Sequence, residues 1–277
     1  MTGPAMNGPG LLQTLRQGRQ VVLHVGEPTA APSGLSVWLI HGAGGRAAQW
    51  QGIAPALQAA GHRVLALDAV GHGDSPAPRR FAHYAGPELV ADLRELLARH
   101  GGARNRLVAH SYGCSQVLAL LSQAGVAPLP PIDRLLLLAP AGPERRRRTP
   151  WIFWLPVPVL EWLRPQLSAG FHAAAWGDAA DAALVARETA ISDRNPLHVI
   201  KALFRQRLAL DAPALQTVHW PVQILAGAQD GLTPAAGAQA LAATLPRARI
   251  EVLLRTGHQI LLERPQQVID AILGPAD

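Results

Sequence analysis

The chain reads as an α/β domain, a doubly wound and mostly parallel sheet with a helical insert between two late strands. Three observations predict this. Short apolar runs, rich in Leu and Val with no alternation of polar residues, recur along the sequence, as expected of strands buried on both faces. Helical stripes lie between those runs, the pattern of a parallel sheet wound by crossover helices. The alternation stops between about residues 143 and 213, where a Trp-rich segment leads into helical, strand-free sequence.

Taken in order, residues 1–18 read as a flexible tail, Gly- and Pro-rich over its first ten positions. Residues 20–25 and 36–40 are strand candidates, the second ending in His41-Gly42. Residues 63–68 form the next run and end at Asp68, close to the turn Gly71-His72-Gly73-Asp74-Ser75. Leu89, Val90, Leu93, Leu96 and Leu97 fall on one face of a helix over residues 87–100 that stops at Gly101-Gly102. Residues 106–109 lead into Ser111, and the Leu-rich run 134–139 ends at Pro140. Residues 221–226 and 250–254 complete the strands. An Ala-rich helix over 234–245 sits between them, with Thr233 as its expected N-cap and Pro at its first position. The expected organisation is a tail over 1–18, a core of 19–142 and 214–277, and a helical lid insert over 143–213. The insert holds four of the seven tryptophans.

Composition narrows the function classes. A chain of 277 residues with 49% hydrophobic and 16% charged residues is long and apolar enough to bury a large core. The net charge is +6 and the pI about 10.8, but Lys201 is the only lysine among 25 basic residues. Abundant Arg, Ala and Pro fit a GC-rich coding bias. The arginines are scattered apart from the run 145–148, so nucleic-acid binding is not expected. The single cysteine, Cys114, allows no internal disulfide. With no secretory h-region and no run of about 20 apolar residues, the expectation is a cytoplasmic protein.

The segment Leu107-Val108-Ala109-His110-Ser111-Tyr112-Gly113 carries the chemistry. It nearly matches G-x-S-x-G, a sharp strand-to-helix turn that lifts a serine Oγ above the sheet edge. Small residues are needed around such a turn because strand and helix pack closely there. Ala109 stands where the first glycine is usual. A serine nucleophile needs a base, and the base needs an orienting acid. His258, in Gly257-His258-Gln259, follows the last strand. Asp230, in Gln229-Asp230-Gly231, follows the strand before it. In a parallel sheet both open on the same edge as Ser111, in the chain order Ser, Asp, His. Asp133 precedes its strand and faces the opposite edge. Asp68 reads as a structural or pocket-rim residue, His72 and His110 as structural, and Cys114 as packing. The backbone N–H groups of Tyr112 and Ala43 are the candidate donors to an oxyanion, with Gly42 and His41 supporting the Gly-rich loop 42–45. No Lys-Ser/Thr follows that loop, so it is not a P-loop.

On these residues the chain resembles the α/β-hydrolase superfamily, in its lid-bearing branch of esterases, lipases and α/β-hydrolase-domain proteins. The resemblance covers about residues 20–275. It rests on His41-Gly42, Asp68 with Gly71-His72-Gly73-Asp74-Ser75, the Ser111 turn, Asp230 and Gly257-His258. It implies a carboxylesterase-like serine hydrolase that cleaves an apolar ester through an acyl-enzyme, with no metal or organic cofactor. Hydrolysis of a thioester, lactone or carbon–carbon bond, acyl transfer, and a non-catalytic scaffold stay open as alternatives. The aromatic segment 151–163 is expected to face the substrate and select apolar chains. Packing onto the core, and contact with anionic head groups aided by arginines 145–148, are the other readings of it.

Overall fold

A computed structural model describes residues 10–123, 128–143, 149–206, 208, 210 and 212–274. The arginine run 145–148 and the first nine residues lie outside them. Eight strands form one sheet in the order β1-β2-β4-β3-β5-β6-β7-β8. They are β1 (Leu11–Thr14), β2 (Gln20–Gly26), β3 (Leu35–Ile40), β4 (Arg63–Asp68), β5 (Arg104–His110), β6 (Ile132–Leu138), β7 (Val222–Gly227) and β8 (Ala248–Leu253). β1 and β2 run antiparallel to their neighbours, and every other pairing is parallel.

The continuous apolar runs reflect burial on both faces. Trp38, Ile40, Leu107, Ala109, Leu135, Leu137, Ile224 and Ala226 join one core layer. Their sequence neighbours Val37, Leu39, Val108, Leu136, Leu138 and Leu225 join the other. A fully buried Leu or Val contributes about 1.5–3 kcal/mol, so a one-residue slip of register would still bury apolar side chains. Fixed polar pairs counter such slippage. Trp38 Nε1 donates to Asn105 Oδ1 at 3.1 Å inside the sheet.

Helices α2 (Gly86–His100), α3 (Tyr112–Ser122) and α9 (Ala235–Thr244) cover the first layer. Helices α1 (Ala54–Ala59), α10 (Ile260–Glu263) and α11 (Pro265–Leu273) cover the second. The insert between β6 and β7 contains a 3₁₀ turn (Trp151–Trp154) and α4 (Val157–Trp162), α5 (Arg164–Ala175), α6 (Ala182–Ser192), α7 (Leu197–Arg205) and α8 (Ala212–Gln216).

Two expectations change. Residues 11–18 are not a tail: Leu11–Thr14 pairs with β2, and Arg16 and Arg19 bind Asp92 of α2 at 2.6 Å each. Thr233 does not cap α9, whose N-cap is Pro234 with no side-chain bond. The Thr233 side chain is used elsewhere.

Candidate active site

Parallel register brings the carboxyl ends of six strands to one edge. Ile40 pairs with both Leu67 and Ala109, His110 with Leu138, Leu138 with Leu225, and Gly227 with Leu253. The loops leaving these positions carry the candidate residues. Asp133, near the start of β6, pairs with Arg106 at 2.7 Å at the opposite end.

Ser111 sits at φ 51°, ψ −116°, the N-cap of α3. A non-glycine residue held there costs about 1–3 kcal/mol, a strain that surrounding packing must impose. The surroundings are tight. A Cβ on Gly113 would lie 2.7 Å from the His41 carbonyl oxygen, and one on Gly42 would lie 2.9 Å from the Ser111 Cβ. Both glycines are therefore needed for close approach, whereas Ala109 fits within the core. Loop 42–45 thus lies directly against the turn that carries Ser111 and Tyr112.

His258 Nε2 is 2.8 Å from Ser111 Oγ, and His258 Nδ1 is 2.8 Å from Asp230 Oδ2. Asp230 Oδ1 accepts the backbone N–H groups of Leu232 and Thr233, each at 2.8 Å. Thr233 Oγ1 lies 2.7 Å from Oδ2 and 3.0 Å from the Ala139 carbonyl oxygen. Burial works against the Asp230 charge, but the His258 hydrogen bond and charge and the Thr233 donors outweigh it and hold the carboxyl below its ordinary pKa. An ionised carboxylate only accepts, so His258 must carry its proton on Nδ1 and turn the Nε2 lone pair to Ser111. That is the tautomer required to take a proton from a serine hydroxyl.

The neighbouring histidines are neutral braces. His110 is buried beside His258, with ring centroids 4.9 Å apart, and its Nε2–H donates to the His258 carbonyl oxygen at 2.9 Å. Burial, then the His258 charge, push its pKa down to about 3. His41 Nδ1–H donates to the Gly42 carbonyl oxygen at 2.7 Å, and its Nε2 accepts the Ala69 N–H at 3.1 Å. Burial lowers its pKa as well. Asp68 accepts Ala47 N–H, Asp74 N–H and His24, away from Ser111. Cys114 is buried against the Ala109 carbonyl, and burial raises its thiol pKa.

A cavity of about 630 Å³ opens from Ser111 beneath the insert. Leu118, Leu232 and Leu241 line it from the core, and Phe153, Leu167, Phe171, Ile200, Leu203, Phe204 and Leu215 from the insert. Its two acidic side chains are engaged: Glu188 with Arg46 at 3.0 Å, and Asp193 with Ser168 at 2.5 Å. Of the aromatic segment expected to face the substrate, Phe153 alone lines this cavity. Trp151, Trp154 and Trp162 point to solvent, because the turn and α4 each have one inward face, filled by Phe153 and by Leu160.

The insert is fastened to the site loops. Asn195 Nδ2 donates to the Gly44 carbonyl oxygen at 2.7 Å. The last carbonyls of α5, Ala174 and Ala175, accept the N–H groups of Gly231 and His258 at 2.9 and 2.8 Å. Sequence reasoning missed Thr233, Asn195 and the bracing by His110. Only Thr233 left a signal, a hydroxyl three residues after the candidate acid.

Comparison with known proteins assigns the chain to a family. The family model described as serine aminopeptidase, S33, matches residues 31–265. The chain belongs to this family. Among relatives of the S33 chain, Protein ABHD8 of Mus musculus is 27% identical over 245 residues, covering 86% of this chain and 54% of that protein. The chain thus spans about half the length of the ABHD8 relatives it matches. The dihydrolipoyllysine-residue acetyltransferase component of the acetoin cleaving system of Pseudomonas putida is 30% identical over 261 residues, covering 87% of this chain and 63% of that protein. In fold, the chain matches the esterase EaEST from Exiguobacterium antarcticum with a TM-score of 0.82 at 17% identity, over 96% of this chain and 98% of the other. The chain therefore shares its overall fold with that esterase.

Proposed function

We propose that the protein is a serine carboxylesterase acting on apolar esters through an acyl-enzyme. The observation that carries this is the continuous chain of 2.8 Å contacts from Asp230 through His258 to Ser111, at the floor of an apolar cavity. Ser111 Oγ attacks the ester carbonyl carbon as its proton passes to His258 Nε2. Asp230, held ionised, stabilises the imidazolium that forms. The negative oxygen is received by the N–H groups of Tyr112 and Ala43, a reading supported by the close approach of Gly42, the loop neighbour of Ala43, to Ser111. His258 returns the proton to the departing alcohol. Water, deprotonated by the same imidazole, then releases the acid and restores Ser111. Each step draws on groups of this chain and a water molecule, and none calls for a metal or organic cofactor.

The family description favours a second reading, removal of an amino-terminal residue from a peptide. That reaction wants a free carboxylate in the cavity for the substrate ammonium, and Glu188 and Asp193 are both engaged. Esters are therefore the preferred substrates, with p-nitroanilides of amino acids as the comparison.

The test is fluorophosphonate labelling followed by intact mass, with kinetics on p-nitrophenyl esters. Ser111→Ala is expected to abolish labelling while keeping the circular dichroism of the wild type. Asp230→Asn should lower kcat by about 10⁴-fold with little change in KM, because the amide would turn a donor toward Nδ1 and invert the tautomer. His258→Ala should lose at least as much. Labelling that persists in Ser111→Ala, or near-normal kcat in Asp230→Asn, would refute the assignment.

A further inference from the structure

The segment that closes the cavity on one side presents bare tryptophan on the other. Trp151 is 73% exposed, Trp154 62% and Trp162 76%, all within residues 151–162. The segment is held firmly. Phe153 stacks on Phe204 with centroids 4.4 Å apart and planes 9° from parallel. Thr149 Oγ1 donates to the Phe204 carbonyl oxygen at 3.0 Å, and Lys201 Nζ to the Leu155 carbonyl oxygen at 2.6 Å. Leu160 anchors α4 in the interior. The indoles are thus set outward by a fixed turn and a fixed helix. Domains that stay in water seldom leave large apolar side chains clustered and bare, and indoles concentrate where apolar and polar media meet.

The charge around them names the partner. The exposed Arg205 lies over the Trp154 ring, its guanidinium carbon 4.2 Å from the centroid. The chain carries +6 overall, and its densest run of positive charge, arginines 145–148, immediately precedes this segment in the sequence. Aromatic side chains beside arginine suit a surface of anionic lipid, where indoles enter the head-group layer and arginines meet phosphates. We infer that the outer face of the 151–162 segment docks the protein on an anionic lipid surface. This deepens the esterase reading and rests on it for its purpose: Phe153, on the docking turn, lines the acyl cavity, so an apolar ester could pass from the bilayer toward Ser111 without crossing water. Among the described residues no helix is long and apolar enough to span a membrane.

The test is sedimentation of the full chain with phosphatidylcholine vesicles, with and without phosphatidylglycerol, at low and high salt. The wild type should partition onto the phosphatidylglycerol vesicles, more weakly as salt rises. A variant carrying Trp151→Ala, Trp154→Ala and Trp162→Ala should bind at least roughly tenfold more weakly while hydrolysing a soluble acetyl ester at the wild-type rate. A wild type that stays in the supernatant, or a variant that partitions like it, overturns the proposal. So does sedimentation equilibrium showing a wild-type dimer that the variant dissolves, since the patch would then join copies of the chain. Vesicle binding by a wild type that neither labels with fluorophosphonate nor cleaves esters would retire the esterase reading and leave the docking surface standing.

Discussion

Mild acid should destabilise this fold through two buried histidines. His72 and His110 are buried, and burial, aided by the charges of His41 and His258 respectively, moves each from an ordinary pKa of 6.5 to about 3. A group whose folded pKa is depressed binds more protons when the chain unfolds. Its contribution to stability is therefore full above 6.5 and is lost as pH falls from there toward 3. At pH 5 both native imidazoles are still neutral, so the loss is set by protonation of the unfolded chain, about 2 kcal/mol for each and about 4 kcal/mol for the pair. That is a large fraction of a typical total of about 5–15 kcal/mol. His41, lowered by burial, acts in the same sense. His24 acts in the opposite one, since its bond to Asp68 raises its pKa and gains stability in acid. Asp68 and Asp230, both held below the ordinary carboxylate pKa, stay charged at pH 5. Urea unfolding followed by far-ultraviolet circular dichroism at pH 7.5 and at pH 5 measures the difference. His72→Asn should remove about 2 kcal/mol of it. A free energy of unfolding that stays level across the two pH values, or an undiminished difference in His72→Asn, would refute the reasoning.

The site suggests two further outcomes. Asn195→Ala should lower kcat about tenfold with KM within about twofold, because Gly44 loses its anchor and the Ala43 donor drifts; equal losses in kcat and melting temperature with a raised KM would mark Asn195 as merely structural. Along p-nitrophenyl esters of two to eight acyl carbons, kcat/KM should rise about threefold to fourfold per carbon until the cavity is filled, and a level series would exclude the apolar cavity as the acyl site.

The strands were legible because burial on both faces leaves an unmistakable apolar run: residues 63–68 coincide with β4, and the others fall within one or two residues of the observed ends at most positions. The strand-end positions of Ser111, Asp230 and His258 followed from the parallel order of those runs. Contacts made across long sequence separations left no such trace. β1 is only four residues and exposed along most of its length, so it shows neither an apolar run nor alternation. It is secured by Arg16 and Arg19 reaching α2, more than 70 residues away. The outward turn of the tryptophans was equally hidden. A 3₁₀ turn places Phe153 on a different face from Trp151 and Trp154, and a string of aromatics does not reveal which one the core accepts.

The fastening of the insert has a consequence for how its residues affect catalysis. A free flap would alter only substrate capture, so its variants would move KM. Here α5 ends by accepting the N–H groups of Gly231 and His258, the residues next to and at the acid and base positions. Arg46 at the end of the Gly-rich loop pairs with Glu188 of α6, and Asn195 holds Gly44. The insert therefore touches the loops of acid, base and candidate oxyanion donor at once. Displacing it by even a few tenths of an ångström would disturb 2.8 Å contacts whose strength depends steeply on distance and angle. The cavity wall and the catalytic geometry form one packed unit, and access for substrate is sought at the outer turn carrying Phe153 rather than in wholesale opening of the insert.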